Sequence, residues 1–118
     1  MTNEQLQYYF DMEKMGRMFH YKKDSRLVCI ITYFIGNGNP DKYVDRYAWS
    51  VIKDDPNGNT LYIDQLLTDK NRDNSYLSLE IWHNLKQFIR NTYPNIKHIR
   101  HNRYKKNWQE PKTFRREL

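Results

Sequence analysis

The sequence predicts an α+β fold in a single domain, a mixed sheet with a long helix packed on it, and three observations carry the prediction. Residues 60–67 (Thr-Leu-Tyr-Ile-Asp-Gln-Leu-Leu) read as a strand, 75–93 as an amphipathic helix and 96–100 as a second strand. Two strands joined by one helix form a βαβ unit, whose crossover makes the strands parallel with a right-handed connection. Upstream, residues 27–35 (Leu-Val-Cys-Ile-Ile-Thr-Tyr-Phe-Ile) are nearly all apolar and rich in β-branched and aromatic types, as a strand buried on both faces requires. Turn residues at 36–40 and 54–59 separate this strand from the βαβ unit, so the region before it reads as an antiparallel meander.

In chain order, Thr2 and Gln5 have capping-box spacing, and Leu6, Tyr9, Phe10 and Glu13 follow at helical intervals, predicting a helix over 3–15 that Gly16 ends. Residues 17–22 fit a short strand or a loop equally. A turn at 23–25 leads to 27–35, expected as the central strand of the sheet. A further strand is expected over 47–53, after the polar stretch 41–46. The helix over 75–93 has the strongest pattern: Leu77, Ile81, Leu85 and Phe88 recur at spacings of four, four and three, Trp82 and Ile89 widen the stripe, and Glu80, Asn84, Lys86, Gln87 and Arg90 lie off it. Asn74 or Ser75 can cap its start, and Pro94 cannot continue its hydrogen-bond ladder.

The chain has 118 residues, enough for one core. Its apolar fraction of 38% includes ten tyrosines, and the mean hydropathy is −1.04, so the core should be thin and a partner or a homodimer is expected to supplement it. No apolar run reaches the ~20 residues that span a bilayer, and no basic stretch followed by an apolar one opens the chain. A cytoplasmic protein with no membrane partner is therefore expected. Lone Cys29 cannot form an internal disulfide, and in an apolar strand it reads as core packing. From Lys97 onward, eight basic residues (Lys97, Arg100, Arg103, Lys105, Lys106, Lys112, Arg115 and Arg116) stand against Glu110 and Glu117, eight less two, so this segment carries the whole formal net charge of +6. Such a segment attracts anions, whether nucleic acid, a phosphorylated cofactor or an acidic protein. Its interleaved cations and aromatics, from Arg100 to Trp108, suit phosphate contact with base stacking, and a solvated basic edge accounts for them as well.

Asp64 is the first candidate for chemistry. Alternation puts Tyr62, Asp64 and Leu66 on one face of the strand and Leu61, Ile63 and Gln65 on the other, leaving a carboxylate mid-strand among apolar neighbours. Desolvation there favours a general base, while the structural alternative is an aspartate hydrogen-bonded to Tyr or Arg. His98 and His101 are three apart in a strand and so point to opposite faces, which argues against a metal site.

A βαβ unit closing a meander resembles the GNAT superfamily of acyltransferases, in which the fourth strand and the following helix splay from the fifth strand and receive acyl-coenzyme A between them. The stretch Tyr62-Ile-Asp-Gln-Leu-Leu67, the helix ending in Tyr93-Pro94, Ile96-Lys-His-Ile-Arg100 and Arg103-Tyr-Lys-Lys106 look most like the short, degenerate members found in bacteriophage and mobile-element genomes. There is also similarity to the toxin-activating lysine acyltransferases, which carry a strand-borne Asp and a His after the first helix. The resemblance implies an acyl-CoA-dependent N-acyltransferase acting on a protein lysine or small amine. Asp64 would be the base and His20 a second base or its partner. Acetyl-CoA or another acyl-CoA would be held by Leu66, Leu67, Thr68, Lys70, Arg72, Asn74 and Ser75, with no metal. The family's pyrophosphate loop normally carries glycines, whereas residues 69–74 (Asp-Lys-Asn-Arg-Asp-Asn) have none and include two carboxylates. A non-catalytic descendant of the fold is the second reading. The third is a small basic nucleic-acid-binding or host-interacting protein, phage-encoded and active in the host cytoplasm, using Arg100, Arg103, Lys105, Lys106, Arg115 and Arg116.

Overall fold

The structure, a computed structural model, describes residues 2–37, 55–68, 77–103 and 112–118. The expected strand over 47–53 and the loop over 69–74 lie outside the described residues. The elements are α1 (Asn3–Lys14), β1 (Met18–Lys23), β2 (Arg26–Gly36), β3 (Thr60–Thr68), α2 (Leu77–Thr92), β4 (His98–Arg103) and β5 (Lys112–Glu117). The strands form one sheet in the order β1-β2-β3-β4-β5. Every neighbouring pair is antiparallel except β3 and β4, which are parallel as the βαβ reading requires.

Local chemistry explains most boundaries. Thr2 accepts a hydrogen bond from the Gln5 amide and the Gln5 side chain accepts one from the Thr2 amide, completing the capping box of α1. Gly16 ends that helix with φ of 73°, a left-handed conformation that costs glycine little. The undecided stretch after it is a strand, β1, turned back onto β2 through Asp24 and Ser25, both at positive φ. That is the twist a two-residue hairpin loop needs. At the other end of β2 the chain returns through a turn at Pro56-Asn57, where the Gly58 amide bonds to Asp55 O and the Asp55 amide to Ile35 O. A Cβ on Gly58 would lie 2.8 Å from Gly36 O, so only glycine lets this turn close against the strand end.

Alternate residues of the strands serve two layers. On one face Cys29, Ile31, Tyr33, Ile35, Leu61, Ile63 and Ile99 pack with Ile81, Leu85 and Ile89 of α2, and Trp82 and Phe88 border the cluster. On the other face Phe34 and Tyr62 pack with Met12 of α1. The sheet thus lies between the two described helices.

Several expectations need correction. The strand over 27–35 is interior and buried, but β3 is the middle strand, because the basic tail contributes a fifth strand. Helix α2 has 16 residues, about 24 Å at 1.5 Å per residue, an ordinary length rather than a long one. The spacing of Leu6, Tyr9, Phe10 and Glu13 marks a helix, as expected, but it is not the buried face of α1: Phe10 is 62% exposed, while Met12 is buried. Helix periodicity gives the angle between side chains but not which arc meets the sheet when apolar residues occupy several arcs. No described helix is long and apolar enough to cross a membrane.

Candidate functional site

The candidate site forms where β3 changes partners. In the β2–β3 ladder Thr32 faces Gln65 and the next residue, Tyr33, faces Ile63, so Asp64 is the extra residue of a β-bulge. The parallel register with β4 runs from Thr60↔His98 to Ile63↔His101 and ends there. Beyond Ile63, among the described residues, β3 is paired only on its β2 side, while β4 continues with β5. Two parallel strands therefore part at the residue that carries the carboxylate.

The bulge displaces ladder hydrogen bonds, and side chains replace them. The Gln65 amide donates to Thr32 Oγ1 at 3.1 Å, and the Tyr8 hydroxyl lies 2.7 Å from the same oxygen and donates to Asp64 Oδ2. Because the single Tyr8 proton goes to Asp64, the Thr32 hydroxyl donates to Tyr8. A single directed chain then runs from the Gln65 amide through Thr32 and Tyr8 to the Asp64 carboxylate, each bond polarising the next. Burial, and then the bond to Asp64, push the Tyr8 phenol above its ordinary value, so Tyr8 is held as a protonated donor. Burial and the Asp64 charge move Tyr9 the same way.

Beside this chain lies a groove of about 520 Å³ between α1 and the free end of β3. Among the described residues it is lined by Thr2, Glu4, Gln5, Tyr8 and Tyr9 from the helix end and by Gln65 and Leu67 from the strand. The Tyr8 and Tyr9 rings meet edge to face, 5.0 Å apart at 82°. Strict alternation would have put Gln65 on the opposite face from Tyr62 and Asp64. The bulge resets the alternation, so Gln65 and Leu67 reach the α1 side.

The other predicted residues fall as follows. His20 is exposed on β1 opposite Ile30, which in turn faces Leu67, so β2 lies between it and β3 and it is beyond hydrogen-bond reach of Asp64. Of the expected cofactor residues, Leu66 and Leu67 are 46% and 37% exposed on the free end of β3, with Thr68 beside them, while Lys70, Arg72, Asn74 and Ser75 lie outside the described residues. Arg100 is buried on β4, Arg116 is exposed on β5, and Arg103 and Arg115 are placed on those strands by register. Lys105 and Lys106 lie outside the described residues. Cys29 is 1% exposed in the core, and His98 and His101 do face opposite ways: His98 bonds to Glu117, and His101 lies 5.3 Å from the Trp82 ring of α2. Tyr8, Tyr9 and Thr32 were not anticipated. Thr32 had a signal, since a hydroxyl inside an apolar strand needs a partner once buried.

Fold and site together define an α+β protein on a five-stranded mixed sheet, with a hydrogen-bonded carboxylate where two parallel strands separate. Comparisons with protein-family models, curated proteins and solved structures find no match.

A pH prediction follows from Tyr8. Its folded pKa is raised above the unfolded value of about 10, so its contribution to stability is complete below pH 10 and is lost as pH rises through the folded value. Denaturant unfolding of the wild type should weaken above about pH 10 more steeply than that of Tyr8→Phe. Parallel curves for the two proteins would remove Tyr8 from the account.

Proposed function

We propose that this protein is an acyl-CoA-dependent N-acyltransferase of GNAT type, acting on a lysine or another primary amine. The observation that supports the reading is the separation of β3 from β4 at the Asp64 bulge, beside the groove under α1. The free edge of β3 from Asp64 to Thr68 suits an extended pantetheine arm, because it presents backbone N–H and C=O groups with no strand partner among the described residues. Leu66, Leu67 and Thr68 would hold that arm, and Lys70, Arg72, Asn74 and Ser75 would meet the pyrophosphate. When bound, acyl-CoA supplies the acyl group as a thioester whose C–S bond breaks as the acceptor nitrogen forms the amide.

The chain's own residues prepare the acceptor. Asp64 Oδ2 takes the proton that the acceptor nitrogen must shed, either directly or across the Tyr8 hydroxyl, which passes its own proton to Asp64 as it accepts the new one. Glu4 and the tyrosine faces of the groove favour an alkylammonium side chain over an anion. His20 stands on the same face of the sheet with β2 between it and Asp64, so it takes no direct part in this step.

Acetyl-CoA binding tests the reading. A ligand that binds only the folded state stabilises it by about 2.7 kcal/mol at a hundredfold excess over Kd, so the thermal midpoint should rise by several degrees. An unchanged midpoint at millimolar acetyl-CoA would leave a GNAT-like fold without the cofactor and defeat the proposal.

A further inference from the structure

Part of the C-terminal segment that the sequence left as a basic tail, Lys112–Glu117, is a strand. It is β5, the edge of the sheet, paired along its length with β4. The register sets Arg100 opposite Arg115 and Arg103 opposite Lys112. Like charges directly across an antiparallel pair repel, and here two such pairs lie in one short ribbon.

The ribbon also uses up its own counter-charge. Glu117 is bonded to the His98 ring and to Arg100, and the His98 bond holds its carboxyl below the ordinary value. Arg100 is 9% exposed, and its Nε has no hydrogen-bond partner among the described residues. The Arg100 charge meets Glu117 and its Nη1 meets Ile99 O, but a buried N–H left without a partner still carries a desolvation cost that a further acceptor would remove. On the α2 side, Arg116 Cζ lies over the Trp82 ring, 4.1 Å from its centroid, with His101 alongside, adding an aromatic and cationic shoulder to the same ribbon.

We propose that the β4–β5 ribbon is a second site, separate from the Asp64 groove, that binds a polynucleotide through its phosphate backbone. A repeating polyanion fits better than one phosphate, because the formal cations Arg100, Arg103, Lys112, Arg115 and Arg116 are spread along two strands rather than gathered at a point. Arg116 and His101 reach one face of the ribbon, and Arg100 belongs to the other, so contact along an edge accounts for both. The site does not depend on acyl-CoA binding, and its test does not either.

The test is fluorescence anisotropy of a labelled, mixed-sequence single-stranded DNA with the full chain, titrated from about 50 to 200 mM KCl. The affinity should fall steeply with salt. Arg103→Gln, Lys112→Gln and Arg115→Gln combined remove three cations and should lower the log–log salt slope by about 2, at ~0.7 per phosphate contact on a single strand. Lys14→Gln, Lys22→Gln and Arg26→Gln combined make the same charge change away from the ribbon and should leave the slope almost unchanged. Equal losses in the two triple variants would overturn the proposal, since net charge alone would explain them. Displacement by polyglutamate as effective as by unlabelled DNA would overturn it in favour of an acidic protein partner. Unchanged DNA binding with new self-association in the ribbon variant would also overturn it, because the cations would then serve to keep an edge strand from pairing with another chain.

Discussion

Asp64→Asn should fold like the parent, bind acetyl-CoA and transfer acyl groups about 10²–10⁴-fold more slowly, the range a positioned general base supplies. The substitution is close to isosteric, and the carboxamide oxygen can still accept the Tyr8 hydroxyl, so the hydrogen-bond chain from Gln65 through Thr32 survives. What disappears is the ability to take up a proton. Acyl transfer to a lysine peptide or simple amine, followed beside the thermal midpoint, separates these effects. Full activity in a folded Asp64→Asn protein would mean the carboxylate only anchors α1 to the bulge. Equal loss of folding and activity in this variant would point to the same structural role.

The largest stability effect should come from Leu85→Ala. Leu85 is fully buried between Ile81 and Ile89, where α2 meets the sheet. Truncation removes the transfer free energy of three heavy atoms and leaves a cavity that close-packed neighbours fill only partly, at a cost of about 2–5 kcal/mol. That is a large share of the ~5–15 kcal/mol that holds a domain folded, and the midpoint should fall by about 10 °C or more. Leu79→Ala on the same helix is the control: Leu79 is 68% exposed, and the change should stay within about 0.5 kcal/mol. Similar losses at both positions would mean that the buried face of α2 has been misplaced.

The elements that were readable in advance are those whose causes are local. The α1 capping box, the stop at Gly16, the stripe of α2, its end before Pro94 and the parallel setting of β3 and β4 each follow from a few neighbouring residues or from chain geometry. Asp64 was placed on a strand, and the structural alternative of a hydrogen bond from a tyrosine is met, but which tyrosine and the Thr32 hydroxyl behind it were not readable. Tyr8 lies 56 residues from Asp64, and no period in a single chain relates two positions so far apart. The fifth strand escaped notice for a related reason. Lys-Thr-Phe-Arg-Arg-Glu carries too much charge to signal a buried strand, yet an edge strand needs only a ladder on one side, and charge protects its other edge.

By itself the amino-acid order decided where the two described helices lie, that β2, β3 and β4 are strands, that one strand pair is parallel, and that a carboxylate sits on the strand before the crossover, because capping, periodicity and crossover geometry follow from the local chain. Only the tertiary structure decided that Asp64 is a bulge, that Gln65 and Leu67 turn toward α1, that β3 and β4 part at Ile63, and that the basic tail closes the sheet. Those outcomes depend on which strands lie side by side and in what register, and register is set by the packing of distant residues, which no local pattern encodes.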